Sequence, residues 1–187
     1  MKTRILSVLA VVLVLASGCT TTGSGSGDPD ARRRAIDANV DNALARLFQQ
    51  VEGSEQLVGR AKGVMVFPNV IKAGFMAGVS RGEGALRVGG KTISYHATTG
   101  GSFGLQAGAQ SRAVFLLFMT DDAMRQFQNS SRWTAGADAS VTLISVGASA
   151  QMTTATAQQA VIGFVLSNAG LMAGVSFDGE RITRLDL

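Results

Sequence analysis

From Gly63 onward the chain consists mainly of small residues with short apolar runs between them, and this pattern most constrains its fold. The octapeptide AGFMAGVS at 73–80 recurs as AGLMAGVS at 169–176, and each copy follows an apolar run, VMVF or VIGFVL. Apolar runs of this length, bounded by turn residues, are typical of buried strands. Glycine within strands permits close backbone approach or a sharp bend. We interpret the two copies as equivalent hairpin-forming units of one antiparallel sheet system.

Turn signals between the apolar runs predict how the strands are connected. Gly89-Gly90 and Asp178-Gly179 each predict a tight hairpin turn, because the favoured two-residue hairpin turns need positive φ. The run AVFLLFM at 113–119 predicts a further buried strand. A G-x-S-x-G match at 100–104 is interpreted as one more Gly-rich strand, since the chain lacks the α/β alternation that a hydrolase nucleophile elbow requires.

Helices are predicted mainly before the Gly-rich region. Apolar residues recur at helical spacing from Ile36 to Val51, after Asp28 as N-cap and Pro29 in the first turn. A short helix is expected over about 54–61, and Thr120-Asp121-Asp122 predicts the start of another that ends near Asn129. The predicted fold class is therefore α+β: an antiparallel, Gly-rich β-barrel or sandwich with one or two N-terminal helices packed on it.

The N-terminus has the layout of an export signal. Lys2 and Arg4 precede an apolar run that is shorter than the roughly 20 residues of a membrane-spanning helix, so we expect a signal peptide over 1–18. The segment LASGC at 15–19 resembles a bacterial lipobox, which makes Cys19 the predicted lipidation site; an ordinary secreted protein cleaved near Gly18 is the alternative. Residues 19–29 are expected to be a lipidated flexible tether, and residues 30–187 the folded domain.

Catalysis and metal binding have little support in the sequence. Cys19 is the single cysteine, and its acylation would leave no thiol for a disulfide, a nucleophile or a metal. His96 is the single histidine, and it precedes Ser102 rather than following it as in a hydrolase triad. We therefore predict a protein that is not an enzyme, with no catalytic residues, no metal site and no cofactor. Loss of substrate turnover on changing Ser102 or His96 would contradict this.

Positive charge is concentrated in the middle of the chain. The net charge of +4 falls to +2 when Lys2 and Arg4 are removed, yet residues 60–112 carry seven Lys and Arg against the single acid Glu83. An anionic partner is expected there, although a solvated surface would explain the same charges. Arg32-Arg33-Arg34 either face a membrane beside the anchor or pair with the surrounding acids, and pairing is favoured. Aromatic residues are too few for a nucleic-acid stacking surface, so no nucleic-acid partner is expected.

Several ordered motifs resemble the SYLF domain, which occurs in eukaryotic adaptor proteins and in bacterial exported lipoproteins. They are AKGVMVFPNVIKAGFMAGVSRGEGALRV, GLQAGAQSRAVFLLFMT, the stretch from Trp133 to Gly147, and GLMAGVSFDGERITRL, within about residues 40–187. The resemblance implies a lipid-binding module that associates with phosphoinositide membranes, and in some fungal members with actin filaments. An actin partner is not expected in a bacterial envelope. The eukaryotic lipid-binding segment is a basic amphipathic N-terminal one, whereas the corresponding helix here is net acidic.

Charge distribution and resemblance together predict the function. We expect a lipoprotein on the periplasmic side of the outer membrane, with surface exposure as the alternative, whose domain binds anionic phospholipid with phosphoinositide-like headgroups. Within the motifs of the resemblance, headgroup contact is implied for Lys72, Arg81 and Arg87. The predicted headgroup-binding residues are Lys62, Lys72, Arg81, Arg87, Lys91 and Arg112. The alternative function is a structural or interaction module that meets another envelope protein or the cell wall.

Overall fold

The computed structural model describes residues 28–75, 77–103, 108–144, 159–167, 170–171, 177 and 179–187. The predicted signal peptide, Cys19 and most of the predicted tether lie outside these residues. The described helices are α1 (Pro29–Gln50), α2 (Ser54–Arg60) and α3 (Asp121–Asn129). The described strands are β1 (Gly63–Phe75), β2 (Ala77–Val88), β3 (Lys91–Phe103), β4 (Gly108–Phe118), β5 (Arg132–Thr134), β6 (Val141–Ile144), β7 (Val161–Ser167), β8 (Gly170–Leu171) and β9 (Arg181–Leu185).

All these strands belong to one curled sheet, which confirms the predicted α+β class. The strand order is β5-β9-β3-β2-β1-β4-β7-β6, and β8 also pairs with β7. The described pairings between strands are antiparallel except that of β6 with β7, a parallel pair that the prediction did not include. The sheet curls into a half-barrel, with β5 and β6 at its two ends, rather than forming a sandwich.

Alternating side chains bury both faces of the central strands. On β1, Val64 and Val66 belong to an outer cluster beneath α1 and α2, whereas Met65 and Phe67 belong to an inner cluster inside the curl. Strands β4 and β7 alternate in the same way. This two-sided burial explains why these strands read as continuous apolar runs. Helix α3 packs on the inner cluster through Ala123, Met124 and Phe127.

The predicted helix starts and one predicted hairpin are confirmed. Asp28 accepts a hydrogen bond from the Asp30 N–H at 3.0 Å, and Thr120 accepts one from Ala123 at 3.2 Å, so both act as N-caps. Helix α1 begins at Pro29, one residue before the predicted domain boundary. Gly89 and Gly90 both have positive φ and connect β2 to β3. Gly179 also has positive φ, but β9, which follows it, pairs with β3 and β5.

The two octapeptide copies are not equivalent hairpins, contrary to the prediction. The first spans the end of the β1–β2 hairpin, where Phe75 pairs with Ala77. In the second, Gly170 and Leu171 already lie on the return strand β8, paired with the end of β7, and residues 172–176 lie outside the described part. The turn therefore falls at a different place in each copy, because pairing register is set by neighbouring strands as well as by local sequence.

Close backbone approach, predicted from the glycines, occurs at Gly84 of β2. A Cβ built on Gly84 would lie 1.9 Å from the Val66 carbonyl oxygen of β1, next to an irregularity in the strand register. That oxygen belongs to the paired backbone of a central strand and cannot move away cheaply. Glycine is therefore required at this position by the fold.

We expect Gly84→Ala to lower the free energy of unfolding by about 1–3 kcal/mol, because the added methyl group would overpack the centre of the sheet. Gly59 of α2 supplies the matched control, since a Cβ there meets no heavy atom within 4 Å. Gly59→Ala should raise stability by up to about 1 kcal/mol through helix propensity. Urea denaturation of both variants checks this; equal stability of the two would contradict the close approach.

Candidate functional site

Five exposed residues form what we call the outer-face cluster, on the part of the outer sheet face that α1 leaves uncovered. They are Ile71 on β1, Val79 and Arg81 on β2, Arg181 on β9 and Arg132 on β5. Ile71 pairs with Arg81, and Thr99 of β3 links Arg81 to Arg181 across the sheet. Strand spacing places Arg81 and Arg181 about 10 Å apart at the backbone. This face therefore combines positive charge with exposed aliphatic surface.

The arginines of the outer-face cluster are not neutralised by ion pairs. Among the described residues, none lies within ion-pair distance of an acid. Glu83, on the same face of β2, is held by Arg32 of α1 at 2.5 Å. The neighbouring side chains of this face, at Ala73, Thr99 and Ser111, are small and exposed. The side chains of these arginines are thus accessible from the solvent.

Arg87, a predicted headgroup-binding residue, is instead part of the packing between α1 and the sheet. Its side chain is only 14% exposed, and its Nη2 lies 2.8 Å from an Asp41 carboxylate oxygen and 3.5 Å from one of Asp37. Asp37 also accepts hydrogen bonds from Thr92 at 2.6 Å and from the Tyr95 hydroxyl at 2.8 Å. Burial and the Asp37 hydrogen bond raise the pKa of Tyr95. The basic region, residues 60–112, contains the single acid Glu83, but the fold thus supplies Arg87 with acidic partners from α1.

Arg112 lies on the inner face, paired with Glu180. The Arg112 Nη2 lies 3.3 Å from Glu180 Oε1, and the two side chains are 11% and 8% exposed. Glu180 also accepts hydrogen bonds from the hydroxyls of Ser80 at 2.6 Å and Thr98 at 3.2 Å. This buried group joins β4, β2 and β3 to the residue that precedes β9. Arg112 is thus committed to the fold.

The other predicted cations are divided between the two ends of the sheet, with Lys62 and Lys91 at one end and Lys72 near the other. Lys62 precedes β1 and is 3.3 Å from Asp121 in an exposed ion pair. Lys72 lies on β1 opposite Ser80, a position on the inner face. Lys91 follows the β2–β3 turn, about 23 Å along β2 from Arg81. The structure therefore does not bring the six predicted residues together, and of the six it places Arg81 in the outer-face cluster.

Arg32, Arg33 and Arg34 are all in ion pairs, as the favoured interpretation expected. Arg33 contacts Asp30 at 2.6 Å and Arg34 contacts Asp28 at 3.6 Å, both within the start of α1. Arg32 contacts Glu83 instead of a helical acid. Sequence reasoning missed Arg181 and Arg132, because they lie outside the basic middle region. Their alternation with buried Ile182 and Trp133 is the signal that would have placed them on the outer face.

Ser102 and His96, the residues considered for catalysis, lie six residues apart on the extended strand β3. Ser102 pairs with Gly78, so the described part of the G-x-S-x-G match, residues 100–103, is a strand as interpreted. His96 is buried, with its ring 5.1 Å from that of Phe127 and its Nε2 2.9 Å from the Ser94 hydroxyl. The described part of the chain contains no group of three potential metal ligands. None of its helices is long and apolar enough to cross a membrane.

Protonation of His96 should destabilise the fold in acid. Burial, and to a lesser extent the charge of Arg184, lowers the pKa of His96 from 6.5 to about 4. The unfolded chain therefore binds a proton before the folded chain does, so the contribution of His96 is complete above pH 6.5 and is lost as the pH falls to about 4. Between about pH 7.5 and 4.5 the wild type should lose about 2 kcal/mol more than His96→Gln in urea denaturation. Parallel losses would contradict the buried neutral imidazole.

We expect Arg112→Met to lower the free energy of unfolding by about 3–5 kcal/mol, because it leaves the Glu180 carboxylate buried without its counter-charge. Adding Glu180→Gln should restore much of this loss, since the amide can still meet Ser80 and Thr98. Arg81→Gln is the matched exposed control and should stay within about 0.5 kcal/mol of wild type. Urea denaturation measures all three; an unaffected Arg112→Met would show that the pair is dispensable.

Comparison with known proteins gives a family match over part of the chain. Residues 99–186 match the family described as Ysc84, Las17-binding protein actin regulator, and the matched range runs from the end of β3 through β9. It includes Arg132 and Arg181 of the outer-face cluster, whereas the β1–β2 hairpin precedes it. No curated protein matches the chain. The family is associated with lipid binding and protein interaction. The match over residues 99–186 is consistent with the SYLF domain family and confirms the resemblance that the sequence motifs had indicated.

Proposed function

We propose that this SYLF domain binds anionic phospholipid, without catalysis, through the outer-face cluster. The observation that carries the proposal is that Arg81, Arg132 and Arg181 converge on one exposed face while Arg87 and Arg112 are held in internal ion pairs. Guanidinium groups bind phosphate oxygens with two parallel hydrogen bonds, so a set of unpaired arginines suits a surface of phosphodiester headgroups. Each such cation contributes about 1 kcal/mol near an anionic membrane.

We further propose that the protein is a lipoprotein of the bacterial outer membrane, acylated at Cys19. The support is the lipobox-like sequence at 15–19 and the small polar residues that follow it. Acyl chains would hold the domain at a bilayer, and weak headgroup contacts would then determine its orientation on the membrane. Actin regulation is not part of the proposal, because an exported lipoprotein does not meet actin filaments. Phosphoinositide-like headgroups are the proposed ligand class.

Vesicle co-sedimentation of residues 19–187 with Cys19→Ser tests the domain without its anchor. We expect binding to vesicles containing phosphatidylglycerol or phosphoinositide, loss of binding at high salt, and none to neutral phosphatidylcholine vesicles. Replacing Arg81 and Arg181 together by Gln should weaken anionic binding about 30-fold, from about 1 kcal/mol for each charge. A stronger response to phosphoinositide than to phosphatidylglycerol of equal charge would support headgroup selectivity.

The matched control removes two exposed charges elsewhere. Arg60 and Lys91 are exposed, and neither has an acid within ion-pair distance among the described residues. Their double replacement by Gln changes the net charge equally and should leave binding nearly unchanged. Equal weakening by both pairs would show that total charge, rather than the outer-face cluster, governs binding. Failure to bind any vesicle would contradict the proposal and favour the protein-interaction alternative.

A further inference from the structure

We propose that the free end of the β1–β2 hairpin enters the bilayer interface, with Ile71 and Val79 below the headgroups and Arg81 and Arg181 at the phosphates. This inference rests on the proposed lipid binding and goes beyond it, because it assigns an insertion element and an orientation to the domain.

Two aliphatic side chains near the free end of this hairpin are exposed, whereas those nearer α1 on the same strands are covered. Ile71 is 54% exposed and Val79 is 67% exposed, whereas Val64 and Ala85 on the same face of the same strands are buried beneath α1. Ala73 pairs with Val79 and Ile71 pairs with Arg81, so the two aliphatic residues lie one row apart on adjacent strands. Ile71 and Val79 therefore place two exposed aliphatic side chains close to the strand position of Arg81.

The free end of the β1–β2 hairpin carries no charged residues. Lys72 and Arg81 lie at about the same height on opposite faces of the hairpin, and residues 73–79 between them contain no Asp, Glu, Lys or Arg. The adjoining strands β3 and β4 are equally free of these residues from 92 to 111. A cation on each face above an uncharged end matches a membrane boundary, where phosphates lie directly outside the apolar region.

The backbone at the free end of the hairpin can approach an apolar phase, because its N–H and C=O groups are largely paired with those of neighbouring strands. Strand β1 pairs with β2 as far as Phe75 and with β4 as far as Gly74. Strand β2 also pairs with β3 as far as Ala77. The hairpin therefore lies inside the sheet rather than at its edge, and its polar backbone atoms are largely satisfied by neighbouring strands. Unsatisfied backbone groups are the main cost of placing a strand in lipid.

The start of α1 lies toward the same end of the domain. Arg32, in the first turns of α1, contacts Glu83, two residues from Arg81 on β2. The nine residues from Cys19 to Gly27 can extend at most about 30 Å, which is enough to join this end to a bilayer. An acyl anchor and the inserted hairpin would therefore engage one membrane, and charge complementarity favours an anionic one.

Environment-sensitive fluorescence at position 79 of the full chain tests the insertion. Acylated Cys19 has no free thiol, so Val79→Cys provides a single labelling position, and wild type taken through the same labelling reports any thiol left at Cys19. With vesicles of phosphatidylcholine and phosphatidylglycerol we expect a blue shift and quenching by brominated acyl chains. Lys91→Cys, at the start of β3 and opposite Val88 at the other end of β2, should show neither.

A double substitution tests the insertion without a fluorescent probe. Ile71→Ser with Val79→Ser removes exposed side chains only, so folding should be retained, and anionic-vesicle binding of the chain with Cys19→Ser should weaken about tenfold. Anionic binding that persists with a water-exposed probe at 79 would overturn the insertion but leave the proposed function intact. If the chain with Cys19→Ser shows no preference for anionic vesicles, both the insertion and the proposed function are overturned. Probe burial without lipid, accompanied by dimer formation, would assign the surface to a second copy.

Discussion

One part of the sheet is buried on both faces, whereas one end of its outer face is uncovered. The rest of the structure depends on this division. Strands β1, β4 and β7 send alternate side chains under α1 and into the curl, so both faces of these strands must be covered. Helix α1 covers the outer face over Val64, Ala85 and Phe115, and the curl and α3 enclose the inner face. The β1–β2 hairpin continues past this covered region, which is why Ile71 and Val79 remain exposed.

The basic residues divide according to the same geometry. Where the sheet is covered, cations are used internally: Arg87 pairs with Asp37 and Asp41 of α1, and Arg112 pairs with Glu180 inside the curl. A charge taken out of water requires a partner, so neither residue is available to a ligand without loss of stability. Where the sheet is uncovered, Arg81, Arg132 and Arg181 have no acid within ion-pair distance among the described residues, and these are the arginines that we propose bind phosphate. Whether an arginine is paired thus follows from its burial rather than from its position in the chain.

The outer-face cluster gives the proposed lipid binding a physical basis that does not depend on the family match. Positive charge would attract the domain to an anionic surface over roughly the Debye length, and exposed aliphatic side chains would contribute only after contact. These two contributions respond differently to salt and to headgroup charge. The paired backbone of the hairpin removes the main obstacle to interfacial contact by a strand.

The sequence by itself determined the fold class, the N-caps at Asp28 and Thr120, the hairpin at Gly89-Gly90, and the strands marked by apolar runs, because these depend on periodicity and on local backbone preference. It also carried the motifs that indicated the family. Only the tertiary structure decided which cations are free, since Arg87 meets Asp41 and Arg112 meets Glu180 across long stretches of chain. It likewise brought Arg181 beside Arg81 through β3, and gave the two octapeptides different registers. The physical reason is that antiparallel pairing distributes neighbouring residues over two faces and two ends of a sheet, and joins residues that are far apart in sequence.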